Sequence, residues 1–434
     1  MIGYFAAWLA LVFANMPVAF SLVFMGLVWL FLDGLARGDA DVLVSMMSSA
    51  PQRLIGGIDS FPLLAVPCFI LAGIAMNTGG VTERIYGFAL ALVGHLTGGL
   101  GHVNVIGSVI FSGMSGSAIA DAAGLGLLEI KAMREDGYPA DFAGALTCAS
   151  CIIGPLIPPS IPMVLYGVIA NASVGALFLA GVMPGLMTAA VLMVQVYFYA
   201  RKRNIPKHPR ASLRVLWTAF RRAFLALVTP VIIMGGIFGG IFTPPEAAAV
   251  AAIYALALGL FVYGDLRWAD LPRILKDAVS TSAVVGFIVA GASLFSWVLA
   301  RERVPQQIAE AFLGISDNPH VILLVINVVM LILGCFMEGI AIMILMVPVF
   351  MPVIQQLGID PVHFGVIVTM NLMIGILTPP FGVALFTVTK VGNIPFEDLA
   401  RAILPFLPPL ILVLFVITHF PATAMWLPWW VYGN

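Results

Sequence analysis

Two carboxylates lie inside long stretches of the sequence that otherwise carry no charge. Asp121 ends an uncharged run that starts at residue 85, and Glu338 separates the uncharged runs 318–337 and 339–359. A carboxylate in a lipid environment is costly, and such residues usually belong to ion or substrate pathways. Helix capping for Asp121 and a hairpin mouth that reaches water for Glu338 remain alternatives. Both are therefore candidates for binding an ion or a substrate.

Glycines and small side chains surround both carboxylates. The first segment contains Ser115-Gly116-Ser117, and the second contains Glu338-Gly339-Ile340-Ala341. Small residues of this kind suit the tip of a re-entrant hairpin, where helix ends expose backbone groups inside a membrane protein. The sequence therefore predicts two hairpin tips.

Two proline-rich interruptions follow the predicted tips. Their sequences are Gly154-Pro155-Leu156-Ile157-Pro158-Pro159-Ser160 and Gly375-Ile376-Leu377-Thr378-Pro379-Pro380. Proline removes backbone donors and breaks a helix. The carbonyls that a break frees can bind Na⁺, and the new helix N-terminus can face an anion. Packing kinks that bind no ligand are the alternative.

The composition shows which elements must position these segments. The 434 residues are 61% hydrophobic and only 9% charged, with a mean hydropathy of +1.08. A soluble domain carries about 25% charged residues, so this chain is an integral membrane protein. Its uncharged runs are too long for the strands of a membrane barrel. The sequence predicts an all-α polytopic membrane protein.

The net charge of −1 gives no basic surface for nucleic acid, and four cysteines are too few for a disulfide framework. No Gly-rich phosphate loop with a lysine, no nucleophilic triad and no transition-metal ligand pattern occurs in the sequence. We therefore expect neither an ATP-driven pump nor an enzyme. A membrane enzyme that uses Asp121 or Glu338 as acid or base is an alternative.

The two halves of the sequence resemble each other. Phe69-Ile-Leu-Ala-Gly73 recurs 218 residues later as Phe287-Ile-Val-Ala-Gly291, and the break at Gly154 recurs 221 residues later at Gly375. The first half ends in a loop with eight of the twenty Lys and Arg residues, between 201 and 222, whereas the tail has none after Arg401. The positive-inside rule places the basic loop in the cytoplasm. Corresponding loops then face opposite sides, which predicts inverted repeats, a common architecture of secondary transporters.

Five segments follow from these patterns. We expect N-terminal scaffold helices in 1–60 and an aromatic C-terminal tail in 421–434. A first repeat in 61–200 has its hairpin near 100–130 and its broken helix near 142–172. The basic cytoplasmic loop and linking helices occupy 201–278. A second repeat in 279–420 has its hairpin near 320–352 and its broken helix near 361–389.

Over essentially its whole length the sequence resembles the large membrane subunit of tripartite ATP-independent periplasmic (TRAP) transporters. The resemblance is carried by Ser115-Gly-Ser117-Ala-Ile-Ala-Asp121, Gly137-Tyr138, the two proline breaks and Gly240-Ile-Phe-Thr243-Pro-Pro-Glu246. It implies Na⁺-coupled, elevator-type import of a small organic acid across a bacterial inner membrane. It also implies two partners, a small four-helix membrane subunit and a periplasmic substrate-binding protein, with Na⁺ as coupling ion and no other cofactor.

The resemblance also implies the site residues. One Na⁺ would bind between the first tip and the first break, and another between the second tip and the second break. The implied Na⁺-binding residues are Ser115, Gly116, Ser117, Gly154, Ile157, Pro158, Glu338, Gly339, Gly375, Thr378 and Pro379. The implied substrate-binding residues are Ser117, Asp121, Pro159, Ser160, Ala341, Thr378 and Pro380. A stand-alone Na⁺-coupled carboxylate carrier of the same superfamily and, less favoured, a channel are the alternatives.

Overall fold

The computed structural model describes residues 2–14, 16–203, 205, 207–314 and 316–433. Within these ranges the chain is helical, and no β-strand is present. This confirms the prediction of an all-α protein.

The helices are defined here in chain order. The first half contains α1 (Ile2–Phe13), α2 (Val18–Ala36), α3 (Ala40–Ile58), α4 (Ala65–Thr78), α5 (Val81–Val93), α6 (Gly99–Ser115), α7 (Ala118–Ala123), α8 (Leu125–Glu135), α9 (Ala140–Cys151), α10 (Ile161–Ala170) and α11 (Val174–Arg203). The second half contains α12 (Leu213–Phe238), α13 (Pro244–Ala257), α14 (Leu271–Arg301), α15 (Val304–Leu313), α16 (Pro319–Gly334), α17 (Gly339–Gln356), α18 (Pro361–Gly375), α19 (Val383–Gly392), α20 (Phe396–Ile403), α21 (Leu407–His419) and α22 (Ala422–Tyr432).

Short irregular helices adjoin several of these elements. They are the 3₁₀ turns Phe61–Leu64, Trp268–Asp270 and Leu404–Phe406 and the π-helical segment Leu258–Tyr263. Including these turns, eight helical segments of the described chain are long and apolar enough to cross a bilayer. They are Val18–Ala36, Phe61–Thr78, Val174–Arg203, Leu213–Phe238, Pro244–Tyr263, Trp268–Arg301, Gly339–Gln356 and Phe396–His419. The chain is a multi-pass membrane protein.

Each half of the chain contains a helical hairpin followed by an interrupted helix. The first hairpin is α6 with α7 and α8, and its second arm is interrupted at Gly124; the second hairpin is α16 with the uninterrupted α17. The interrupted helices are α9–α10, broken over residues 152–160, and α18–α19, broken over 376–382. The breaks contain the cis peptide bonds Pro158–Pro159 and Pro379–Pro380, which lie 221 residues apart.

The helix starts follow from local sequence. The Asp360 carboxylate accepts the Val362 backbone N–H at 2.6 Å, and Pro361 occupies the first position of α18. The Asn318 side chain accepts the His320 N–H at 2.9 Å, and Pro319 begins α16 in the same way. A capping oxygen satisfies a backbone donor of the first turn, and proline there loses no hydrogen bond.

The two repeats interlock through the second halves of their interrupted helices. Helix α10 of the first repeat packs on α17 and α18, and α19 of the second repeat packs on α7, α8 and α9. The Tyr166 hydroxyl donates to the Pro361 carbonyl at 2.6 Å, and the Arg134 guanidinium donates to the Gly392 carbonyl at 3.1 Å. The tips and breaks of both repeats therefore belong to one continuous core.

The remaining long helices pack beside these elements and add buried side chains to the same core. Helices α2 and α3 pack on α14, while α12 and α13 pack on α5 and α4. The aromatic segment at the C-terminal end folds into α22, which packs along α11.

Candidate functional site

The first hairpin tip touches the first break directly. Gly116 has a φ of +63°, and a Cβ atom at this position would lie 2.6 Å from the Pro159 carbonyl oxygen. The Ile161 backbone N–H donates to the Gly116 carbonyl at 3.3 Å. Ser117 caps α7, and its hydroxyl accepts the Ala120 N–H at 3.4 Å. Glycine is required because a side chain would fit neither the backbone conformation nor the space.

The first break ends where Ser160 caps α10. The Ser160 hydroxyl accepts the Met163 N–H at 3.2 Å and donates to the Pro155 carbonyl. Ser160 is fully buried. The serine therefore fixes the geometry of the break with both of its hydrogen-bonding functions.

Asp121 lies behind the first tip, between the tip and the break. The Ser115 hydroxyl donates to its Oδ1 atom. Its Oδ2 atom faces Gly154, where a Cβ atom would collide with it, and has no hydrogen-bond partner in the described structure. The side chain of Asp121 is 2% exposed. A buried carboxylate oxygen without a partner can bind a cation.

The second junction has the same backbone plan with different side chains. Glu338 caps α17, and its carboxylate accepts the Ala341 N–H at 3.0 Å. The Phe381 N–H of the break donates to the Cys335 carbonyl at the tip, at 3.3 Å. Behind this tip, α16 and α18 approach so closely that a Cβ on Gly375 would lie 2.8 Å from the Cα of Gly334.

A cavity of about 560 Å³ opens between the two tips. Its polar lining consists of the first tip, Ser117 included, the second tip at Glu338 and Gly339, and the hydroxyls of Ser280 and Thr281 on α14. Apolar side chains of α4, α17 and α18, including Ile74, Leu372 and Met373, form much of the remaining wall. A mostly apolar cavity with a few polar groups is typical of small-molecule sites.

The electrostatics of this cavity depend on one side chain. Among the described residues that line it, Glu338 is the only ionisable one, and none is a Lys or an Arg. The N-terminal turns of α10, at Ile161 and Pro162, and of α17, at Gly339 and Ile340, also line the cavity. Helix N-termini carry partial positive charge that attracts anions. The cavity therefore combines one carboxylate with two positive helix ends.

The structure places the predicted site residues in three groups. Those that line the cavity are Ser115, Gly116, Ser117, Glu338 and Gly339. Those in the first tip–break junction outside the lining are Asp121, Gly154, Ile157, Pro158, Pro159 and Ser160. Those around the second junction outside the lining are Ala341, Gly375, Thr378, Pro379 and Pro380, and the Thr378 hydroxyl donates to the Ile374 carbonyl at 2.8 Å.

Sequence reasoning missed the contribution of α14 to the cavity. Ser280 and Thr281 are exposed to the cavity. Residues 280–282 are three consecutive hydroxyl side chains near the start of an apolar run, but this pattern does not indicate which helices they face. In the described part of the chain, no group of three or more His, Cys, Asp or Glu residues could hold a metal ion.

Comparison with known proteins assigns the family. Residues 5–423 match the family model described as "Tripartite ATP-independent periplasmic transporter, DctM component". The chain belongs to this family. It is the large membrane component of a TRAP transporter, and membership implies a small membrane subunit and a periplasmic binding protein as partners.

Individual relatives agree with this assignment. The chain is 54% identical over 428 residues to the sialic acid TRAP transporter large permease protein SiaM of Vibrio cholerae, covering 99% of this chain and 98% of the relative. It is 43% identical over 379 residues to the C4-dicarboxylate TRAP transporter large permease protein DctM of Pseudomonas aeruginosa, covering 87% and 89%. These relatives are named as permeases, so the enzyme alternative is set aside.

A solved structure supports the fold of this TRAP component. The Alcanivorax borkumensis YdaH transporter superposes with a TM-score of 0.66, over 96% of this chain and 98% of that chain, at 16% sequence identity. At this identity the likeness concerns the fold alone. The prediction of a polytopic helical transporter fold is confirmed.

Proposed function

We propose that this TRAP component imports an organic acid into the cytoplasm, driven by a Na⁺ gradient. It lies in a bacterial inner membrane, joins a small four-helix membrane subunit and receives its substrate from a periplasmic binding protein. The observation that carries this proposal is the cavity between the two tip–break junctions, with Glu338 and two helix N-termini in its wall.

A sialic acid is the first substrate to test. The relative at 54% identity is named for sialic acid, and the relative at 43% is named for C4-dicarboxylates. The hydroxyls of Ser117, Ser280 and Thr281 suit a polyhydroxylated acid better than a short aliphatic diacid, which offers few hydrogen-bonding groups besides its carboxylates. The partial positive charge of the α10 and α17 N-termini would attract the carboxylate.

Each tip–break junction is proposed to bind one Na⁺. At the first junction the oxygen ligands would come from Ser115, Ser117, the Asp121 carboxylate and the backbone of Gly154 to Pro158. At the second they would come from Glu338 and the backbone of Gly375 to Pro379, including Thr378. In both junctions a backbone hydrogen bond already joins tip and break, so an ion bound there would hold the two segments together.

Glu338 gives a physical reason for coupling. With no cation in the second junction, its carboxylate would repel a substrate carboxylate in the same cavity. A bound Na⁺ would neutralise that charge, so the organic acid would bind well only after the ion. Removal of the charge would weaken the dependence of binding on Na⁺.

An elevator motion is proposed for the transport step. The two hairpins and the two interrupted helices hold both tips and both breaks, and they pack on one another through α10 and α19. This unit would move against the outer helices α2, α3, α12 and α13. The whole cavity would then be exposed to one side of the membrane at a time.

Uptake into proteoliposomes tests the coupled function. The large and small subunits are reconstituted together, and labelled sialic acid is supplied with or without an inward Na⁺ gradient and with or without the binding protein. Saturable uptake that requires both is expected. Uptake with Na⁺ alone would indicate a stand-alone carrier, and linear flux that needs neither would indicate a channel and contradict the proposal.

Cysteine labelling tests the motion separately. A cysteine replaces Ile119, whose side chain is exposed beside the first tip, after Cys68 and Cys335 have been changed to serine. A membrane-impermeant reagent is applied from either side. An elevator predicts that Na⁺ and substrate shift labelling from one side to the other, whereas a cysteine at the exposed Ile241 of the loop after α12 should react from one side only. Equal labelling of position 119 from both sides in every condition would contradict the elevator.

A further inference from the structure

A second large groove lies away from the tips, between α5, the start of α12 and the π-helical segment Leu258–Tyr263. Its volume is about 930 Å³. Four arginines and two carboxylates line it, which leaves a net positive charge. These residues are Arg84, Arg214, Arg221, Arg222, Glu83 and Asp265.

One helical face supplies most of the positive charge. Arg214, Thr218, Arg221, Arg222 and Leu225 recur at the three- and four-residue spacing of a single α-helical face, and all five line the groove. The Ser212 hydroxyl fixes the start of this helix by accepting the Val215 N–H at 3.3 Å. The spacing therefore places Arg214, Arg221 and Arg222 along the same groove.

Packing holds this face in place against its neighbours. The Phe220 ring lies 5.8 Å from the Phe88 ring of α5, and the Tyr254 hydroxyl donates to the Leu225 carbonyl at 2.9 Å. The groove is therefore a formed feature of the fold. The ring contact joins α12 to α5, and the hydrogen bond joins α12 to α13, which leads into the π-helical segment.

The arginines of the groove divide into one that is paired and three that are available. Arg84 bonds the Asp265 carboxylate at 2.6 Å and lies 3.9 Å above the Tyr263 ring. Arg214, Arg221 and Arg222 form no ion pair with any described residue. Their guanidinium groups are free to bind an oxyanion, and arginine matches the geometry of a phosphate with two parallel hydrogen bonds.

Exposed apolar side chains surround the charged part of the groove. Val215 and Val262 line it and are more than half exposed, and Trp217 and Trp268 are 60% and 67% exposed nearby in sequence. Tryptophan concentrates where a membrane meets water. Beyond Arg222, α12 continues with no charged residue to Phe238, its last residue. The groove therefore meets the lipid phase at the level of the headgroups.

We propose that this groove binds the phosphate headgroup of an anionic phospholipid, with the acyl chains along α12. The positive-inside rule puts the basic residues 201–222 on the cytoplasmic side, where anionic lipid attracts Lys and Arg. A phosphodiester supplies the oxyanion, and the apolar rim supplies the contact for the chains. The lipid would fix α12 against α5.

Native mass spectrometry of the complex with the small subunit tests this proposal. Phosphatidylglycerol and phosphatidylcholine of identical chains are added in turn to wild type, to R214Q/R221Q/R222Q and to R201Q/K202Q/R203Q. The last variant removes the same charge from the end of α11, outside the groove. Wild type is expected to prefer phosphatidylglycerol, and the preference should fall about fivefold for each groove arginine removed but stay within about twofold in the control.

A second variant covers the case that the triple substitution fails to fold. Thr218→Asp places one negative charge in the middle of the groove and is expected to abolish the preference for phosphatidylglycerol. Equal binding of both lipids by wild type, or equal losses in groove and control variants, would overturn the proposal.

Displacement of the lipid by millimolar inorganic phosphate would assign the site to a free anion. Loss of the small subunit from the groove variants alone would assign the surface to that subunit. Either result would also overturn the proposal.

Discussion

The two tip–break junctions share a backbone plan but place their carboxylates differently. In the first, Asp121 is buried behind the tip, and its orientation is set by Ser115. In the second, Glu338 stands at the tip itself and faces the cavity. At the positions 221 residues after Ser115 and Asp121 the second repeat has Phe336 and Ile342, while Glu338 corresponds to Ser117. The two repeats therefore share the backbone geometry of the junction but carry their carboxylates at different positions.

This difference suggests a division of roles between the two junctions. An ion at the buried first junction would stabilise the conformation of the tip and would not act on the substrate, because the Asp121 carboxylate there does not line the cavity. An ion at the second junction would act on the substrate directly, since the cavity contains Glu338. The substitutions below test whether the two junctions separate in this way.

The largest effect is expected for Gly116→Ala at the first tip. An alanine would be forced into a left-handed conformation, which costs about 1–2 kcal/mol, and its Cβ would lie 2.6 Å from the Pro159 carbonyl. Na⁺-driven uptake should fall by about 100-fold, consistent with a further packing penalty of about 1–3 kcal/mol. Initial rates in proteoliposomes give the measurement.

Gly358→Ala is the matched control, because Gly358 has a φ of +66° but a Cβ atom there would have no other atom within 4 Å. It carries the conformational cost without the collision. Equal losses of uptake in the two variants would show that contact between tip and break is unimportant.

Asp121→Asn should weaken Na⁺ binding at the first junction while leaving the cavity intact. The attraction between the carboxylate and a bound Na⁺ is worth about 1–4 kcal/mol, so the Na⁺ concentration for half-maximal uptake should rise by about 10-fold or more. Substrate affinity at saturating Na⁺ should change little. The exposed Asp398→Asn serves as control, and an unchanged Na⁺ requirement in Asp121→Asn would remove this residue from the ion site.

Asp121→Asn should alter the Na⁺ requirement, whereas Glu338→Gln should alter the binding of the acid. Removing the charge relieves repulsion of the substrate carboxylate, so binding of the acid without Na⁺ should improve, by about fivefold for about 1 kcal/mol of repulsion. The stimulation of binding by Na⁺ should shrink correspondingly. Titration calorimetry with and without Na⁺ measures both values, and the exposed Glu310→Gln is the control. A variant whose binding still depends fully on Na⁺ would contradict the proposed coupling.

Ser280→Ala tests the wall of the cavity and should have the smallest effect. Ser280 is exposed to the cavity, so loss of its hydrogen bond should cost the low end of about 0.5–1.5 kcal/mol. Affinity for the acid should fall about threefold with no change in the Na⁺ requirement. Ser282→Ala removes a hydroxyl that bonds the Ala278 carbonyl at 2.7 Å and does not line the cavity. If both variants bind equally, α14 does not contact the substrate.

The sequence predicts the tips and breaks well because their signals are local. Gly116 and Pro158 act on their own backbone, and a capping serine or glutamate acts within one helical turn. The position of Asp121 behind its tip and the approach of Ser280 to the cavity depend on how distant helices pack. Spacing along one segment carries no such information, so these features came only from the structure.

The most direct test of the whole account is the Na⁺ dependence of sialic acid uptake by the reconstituted wild-type complex. Two ions that must both bind before transport predict a sigmoidal curve with a Hill coefficient that approaches about 2. Uptake that is saturable in substrate but indifferent to Na⁺ would contradict ion binding at the two junctions as the source of coupling.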